Sequence, residues 1–197
     1  MTTKVSAVKT ARLTPDDIER MVRQGQLCTD AQMELIDGEL VEMAPSFGLQ
    51  GGIGSQILVA LAVFAKLHGG LVADASTGFR VGRDHQELRS PDVSYLKAGR
   101  MARLPDSFVD GAPDLAVEVL SERQVGLAYA RSKVPLYFDA GAQLVWLVDP
   151  YRQEVRLYRN GANTFDTLAG GAVLTLEPIV TGFELRVADI FPPDEAP

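Results

Sequence analysis

An acid inside an apolar run is the first feature of this sequence that calls for chemistry. Asp114, Leu115, Ala116, Val117, Glu118, Val119 and Leu120 form a short, mostly apolar stretch of the kind found in central strands. Side chains alternate along a strand. Leu115, Val117 and Val119 therefore share one face, and Ala116, Glu118 and Leu120 the other. A carboxylate on a covered face needs a cation, a hydrogen-bond donor or a metal, because burying it unpaired is costly. On an edge strand Glu118 would need only water.

Ser90, Pro91 and Asp92 open a second strand running to Leu96. Pro91 fixes the entry backbone, and Asp92 is either a strand-capping acid or a second functional one. Two such acids on adjacent strands could bind one Mg²⁺, a hard cation that prefers carboxylate oxygens. Phosphodiester hydrolysis uses such an ion to polarise the phosphoryl oxygen and to acidify an attacking water. Lys133 follows on the next helical segment. It is either an ordinary solvent-facing lysine or an ammonium that swings toward the carboxylates to stabilise the pentavalent phosphate.

Other reactive groups carry weaker signals. Cys28 is the single cysteine, so neither an internal disulfide nor a two-cysteine zinc site can form. His68 and His85 lack ligand-pair spacing. Gly48, Gly51, Gly52 and Gly54 precede a helical stripe, but no Gly-Lys-Ser/Thr follows them, as a phosphate-binding loop requires.

The elements that must position these residues fit one domain over residues 1–197, with a core from about 14 to 191. With 46% hydrophobic and 23% charged residues, the chain has ordinary globular composition. Thr14-Pro15-Asp16-Asp17 is a helix start, and that helix should stop near Gly25. Met33 to Met43 reads as a hairpin turning at Asp37-Gly38. A Pro/Ser/Gly loop is expected from Ala44 to Gly54. The stripe Ile57, Leu58, Leu61, Ala62, Phe64 and Ala65 then predicts a helix ending at Gly69-Gly70. Leu71 to Phe79 reads as one strand, Ala98 to Asp110 as a loop and Val125 to Ala140 as a helix. Leu144 to Val148 should pair with Glu154 to Tyr158, and short strands are expected at 173–176 and 183–187. Mixed strands and helices without a repeat imply an α/β or α+β domain with a mixed sheet.

The net charge is −7, which argues against broad charge-driven binding to nucleic acid. Six basic residues (Arg80, Arg83, Arg89, Lys97, Arg100, Arg103) stand against three acids between Ser76 and Arg103. A local basic surface and an ordinary mixture of charges are both compatible with that count. No signal-peptide pattern is seen, and no apolar run is read as approaching the roughly 18 residues that cross a bilayer. The expectation is a cytoplasmic protein with no membrane association.

Taken in order, several segments carry a family likeness: Glu34 to Leu40, Ser90 to Val93, Ala112 to Ser121, Lys133 to Tyr137 with Ala140-Gly141, Val145 to Pro150, and Gly182 to Phe191. Together they resemble the Uma2 family of restriction endonucleases, a branch of the Pro-Asp…Asp/Glu-x-Lys nuclease superfamily, over about Thr14 to Phe191. The resemblance implies a restriction-endonuclease-like α/β fold, with a mixed central sheet flanked by helices. It implies Asp92 and Glu118 as metal ligands, the backbone carbonyl of Val119 as a third, and Glu34 as an accessory acid from the first hairpin. Two positions depart from the pattern. Leu120 stands where the superfamily has its lysine, which points to Lys133 on the next helix, with Pro135 expected to kink or restart that helix. Gln50 stands where relatives often carry histidine.

The resulting expectation is a Mg²⁺-dependent endonuclease, with Mn²⁺ as a substitute, acting on DNA. Asp92, Glu118, Lys133 and Glu34 are its site residues. The alternatives are a non-catalytic DNA-binding or dimerisation module on the same fold, or a hydrolase of smaller phosphodiesters. Cutting both strands of a duplex needs two sites, so a two-fold homodimer is expected, with the 145–158 hairpin and the tail as contact surfaces. As Lys133 is not a ligand, its removal is expected to spare folding.

Overall fold

The computed structural model describes residues 12–27, 32–82, 84–121 and 125–192. Cys28, Arg83 and Arg123 lie outside the described residues. The elements run α1 (Pro15–Arg23), β1 (Met33–Ile36), β2 (Glu39–Glu42), α2 (Gly48–His68), β3 (Leu71–Asp74), β4 (Phe79–Val81), β5 (Glu87–Arg89), β6 (Val93–Leu96), β7 (Val109–Asp110), β8 (Leu115–Val119), α3 (Val125–Asp139), β9 (Leu144–Asp149), β10 (Glu154–Arg159), β11 (Phe165–Ala169), β12 (Val173–Leu174) and β13 (Leu185–Arg186), followed by a 3₁₀ turn at Val187–Ile190.

A six-stranded mixed sheet has the order β11-β10-β9-β8-β6-β3. Its only parallel pair is β8 with β9, and α3 makes the crossover between them, as parallel neighbours require. The segments 90–96, 114–120 and 144–148 thus fall on adjacent strands. A second, five-stranded sheet has the order β2-β1-β5-β4-β7. α2 covers one face of the larger sheet, where Ile53, Ile57, Leu61 and Phe64 pack among Val93, Tyr95, Leu115, Val117 and Trp146. α3 covers the other. There Ala130, Val134 and Tyr137 meet Ala116, Leu120, Val145 and Leu147, with Phe79, Val81 and Val109 from the smaller sheet.

Several local expectations hold. Thr14 accepts from the Asp17 amide, and Asp17 accepts in return from the Thr14 amide, closing a capping box. Asp37 and Gly38 both have positive φ, 50° and 79°, as the tight hairpin turn between β1 and β2 requires.

Others are corrected. α2 begins at Gly48, so the glycine segment is helix rather than loop. Its first turn is held by Gln50, whose Oε1 accepts from the Phe47 amide at 2.9 Å and whose Nε2 donates to the Ser121 carbonyl at 3.0 Å. That tertiary anchoring overrides the low helix propensity of glycine. The 71–79 stretch is two strands in different sheets, broken at 75–78. β11 was not anticipated. α3 runs through Pro135 without interruption. Finally, α2 is long and apolar enough, by length and composition, to cross a membrane, which the sequence reading missed. Its inward residues instead serve the core described above.

Candidate active site

The pairing of Val93 with Val117, extended one step, sets Asp92 opposite Glu118. Residues opposed across two strands project to the same face, here the face covered by α3. Asp92 Oδ2 accepts from the Val119 amide at 2.6 Å, which joins the end of β6 to β8. The amide and carbonyl of one strand residue face the same neighbour. The Val119 carbonyl therefore also faces Asp92, while the next amide, Leu120, bonds Val148 of β9.

α3 supplies the opposing groups from one face, at four-residue intervals. Lys133 Nζ lies 2.9 Å from Glu34 Oε1 and 3.1 and 3.2 Å from the two oxygens of Glu118. Tyr137 donates its phenol to Glu118 Oε1 at 2.5 Å, and Tyr129 donates to Glu34 Oε2 at 2.5 Å. The Lys133 ammonium also sits 4.8 Å from the centre of the Tyr129 ring. Glu34, Lys133 and Tyr137 are buried. Arg131 is exposed, as its position about 200° round the helix from Lys133 dictates.

Behind Glu34 stands Arg89, whose Nε lies 3.7 Å from Glu34 Oε2. Arg89 is itself buried and donates to the Leu35 and Leu88 carbonyls and to Glu87. Sequence reasoning missed Tyr129, Tyr137 and Arg89. The periodicity linking 129, 133 and 137 was the available signal for the two tyrosines. Nothing local marked Arg89, whose partner lies on another strand.

All four residues expected to act therefore border one cleft of about 370 Å³, together with Gln50, Ser121 and Phe47. The electrostatics follow from burial. Burial pushes Glu118 up to about 7; the Asp92 charge adds to this, while Lys133 and the Tyr137 hydrogen bond oppose it. Burial likewise raises Asp92, against the pull of the Val119 amide and Lys133. For Lys133, burial pulls downward, but the charges of Glu118 and Glu34 prevail and hold it above the usual lysine range. Burial, then Glu118, keeps the Tyr137 phenol well above its ordinary value. At neutral pH the helix thus presents a fixed cation and a neutral donor to two reluctant carboxylates.

The donor set fits a divalent metal of the hard class. Among the described residues no group of three or more His, Cys, Asp or Glu is drawn together as an ion cage. Two carboxylates and a backbone carbonyl suit Mg²⁺, which keeps several of its waters. Asp92 Oδ1 accepts no hydrogen bond among the described residues, and its Oδ2 is committed to the Val119 amide.

Among the described residues, four of the basic residues counted in the middle of the chain are committed to ion pairs, as in an ordinary mixture of charges. Arg80 is paired with Asp16, Glu19 and Asp110, Arg89 with Glu34 and Glu87, and Lys97 and Arg100 with Asp114.

A mixed sheet flanked by helices, with acids at the ends of adjacent strands and a lysine facing them, defines a nuclease-like α/β protein. The sequence profile of the Uma2 family, described as "Putative restriction endonuclease", matches residues 22–188. The chain belongs to that family. The fold is shared with a crystal structure from Anabaena variabilis ATCC 29413, described as a "putative nuclease belonging to DUF820". The two agree with a TM-score of 0.72 at 20% identity, over 91% of this chain and 97% of that one. No curated protein matches the sequence.

Proposed function

We propose that this protein is a Mg²⁺-dependent endonuclease that hydrolyses DNA phosphodiester bonds, with Mn²⁺ able to replace Mg²⁺. One observation carries the reading: Asp92 and Glu118 share a face across paired strands, and the Lys133 ammonium stands against Glu118. Asp92, Glu118 and the Val119 carbonyl would hold the ion. When bound, such an ion polarises the phosphoryl oxygen and lowers the pKa of water.

The remaining roles belong to the chain. Lys133 stays protonated, so it works as an electrostatic group rather than a base. It orients the attacking water and stabilises charge on the pentavalent phosphate. Glu34 is the residue whose assignment changes most. Its carboxylate receives Tyr129, Lys133 and the nearby Arg89, so it acts as a positioning residue that fixes Lys133. Tyr137 holds Glu118 in the same way.

The homodimer is proposed to form on α2. Val59, Val63 and Leu67 are 59, 57 and 75% exposed and recur every four residues along one helix face. Lys66 is the one charged side chain on this helix, in a chain of net charge −7 whose acidic surfaces repel between copies. β9, by contrast, is buried throughout.

The test is incubation of plasmid and of single-stranded circular DNA with and without Mg²⁺, with Asp92→Ala as control. Metal-dependent cutting by wild type alone supports the proposal. Absence of cutting on both DNA forms rejects it and leaves a nuclease-fold binding module.

A further inference from the structure

The cleft and its border carry exposed aromatic rings, and two of them, Phe47 and Tyr151, have no part in the proposed chemistry. Phe47 lines the cleft and is 71% exposed; Tyr151 is 44% and Tyr129 36% exposed. One buried side chain, Gln50, organises the first two. Its Oε1 accepts from the Phe47 amide at 2.9 Å, and its Nε2 lies 3.4 Å from the Tyr151 hydroxyl. The Tyr151 hydroxyl in turn donates to the Ser121 carbonyl at 2.6 Å, at the end of the strand that bears Glu118. The backbone beneath Phe47 is thereby fixed while its ring remains in solvent.

The charge pattern decides what such rings could receive. Duplex affinity comes largely from lysines and arginines that neutralise phosphates. Here the central cations are committed to ion pairs. Among the described residues those with no ion pair are Arg12, Lys66, Arg103 and Arg131, on four different segments. Stacking on an aromatic ring needs no such field, and every base offers a π-face. That face is available only when the base is unpaired and unstacked.

Resting on the nuclease reading above, we infer that the substrate is nucleic acid with an unpaired segment at the cleft, its base stacked on Phe47 beside the scissile phosphate. One active site then suffices for each cut, and cleavage does not require the dimer.

Binding separates this inference from the nuclease reading. Wild type in EDTA is titrated into a fluorescein-labelled single-stranded DNA 20-mer, an RNA 20-mer of the same sequence and the blunt DNA duplex, followed by anisotropy. The DNA single strand should bind at least tenfold more tightly than the duplex. The RNA arm shows whether the sugar is also read, and tight RNA binding equally supports stacking on an unpaired base. Phe47→Ala and Phe47→Leu should each weaken single-strand binding by about tenfold, while Phe47→Trp retains it. Because Phe47 is exposed, each variant should keep the wild-type melting temperature.

Duplex bound as tightly as the single strands would overturn the inference, as would Phe47→Leu behaving like wild type. A drop in solution mass for Phe47→Ala would also overturn it, by making Phe47 a protein contact. Metal-dependent cleavage of plasmid with no single-strand preference would reject this inference while leaving the nuclease reading intact.

Discussion

The Tyr137 phenol and the Glu118 carboxylate are joined by a 2.5 Å hydrogen bond between the third helix and the central strand. Both groups are buried, and the phenol stays protonated because burial and the adjacent charge hold its pKa well up. It therefore serves as a permanent donor to the ionised form of Glu118. Tyr137→Phe removes that donor. A charge-assisted bond of this kind contributes about 2 kcal/mol, so the variant should unfold at lower denaturant concentration. It should also raise the Glu118 pKa. The acidic limb of the cleavage profile should then move to higher pH. An unchanged profile with lowered stability would make Tyr137 a packing residue only.

Stability of the metal-free protein should fall as pH rises. Glu118 has a folded value of about 7 against an ordinary 4.5, so the folded state binds more protons between those limits. The contribution is fully present below pH 4.5 and lost as pH rises through 7. For a shift of this size the loss is about 3 kcal/mol. Urea midpoints measured across that range should decline in wild type and decline less in Glu118→Gln, where only the raised Asp92 remains. A wild-type midpoint that climbs through the same window would refute the assignment.

Mg²⁺ should raise the melting temperature and flatten that pH dependence. A ligand at 100 times its Kd stabilises the folded state by about 2.7 kcal/mol. Calorimetry should show binding to wild type and none to the Asp92→Ala, Glu118→Ala double variant. Equal binding to both places the ion elsewhere.

Lys133→Ala should abolish cleavage, whereas Arg131→Ala, at an exposed position, should retain most of it. The buried setting of Lys133 revises the expectation that its removal spares folding. Without it two carboxylates remain buried beside each other, and breaking such a pair costs about 3–5 kcal/mol. Lys133→Arg, which keeps the charge, should fold while still losing most activity. If Arg131→Ala is the inactive variant, the lysine assignment fails.

The acids were legible because each interrupts a pattern. Glu118 breaks an apolar run, and Asp92 follows a proline at a strand entrance. Lys133 was legible because Leu120 stands where the superfamily has its lysine, which turns attention to the next helical segment. What stayed hidden was set by long-range partners. Gln50 makes the glycine segment helical by reaching 71 residues along the chain to Ser121. Arg89 touches Glu34 only because β5 pairs with β1. The choice between a basic surface and an ordinary mixture of charges was hidden for the same reason, since counting charges along a segment does not reveal that Arg80 is clamped by α1 and β7.

Glu34 comes from the five-stranded sheet, whereas Asp92 and Glu118 sit at the strands of the six-stranded one. The two halves of the site are therefore carried by different sheets. Loosening the β1–β2 hairpin would release Lys133 from one of its two anchors and leave the paired carboxylates in register. On the proposed nuclease function, a partly opened molecule of that kind would still capture an ion but could not fire. Damage to the first forty residues should accordingly appear as silent, metal-loaded protein rather than as protein that has lost its metal.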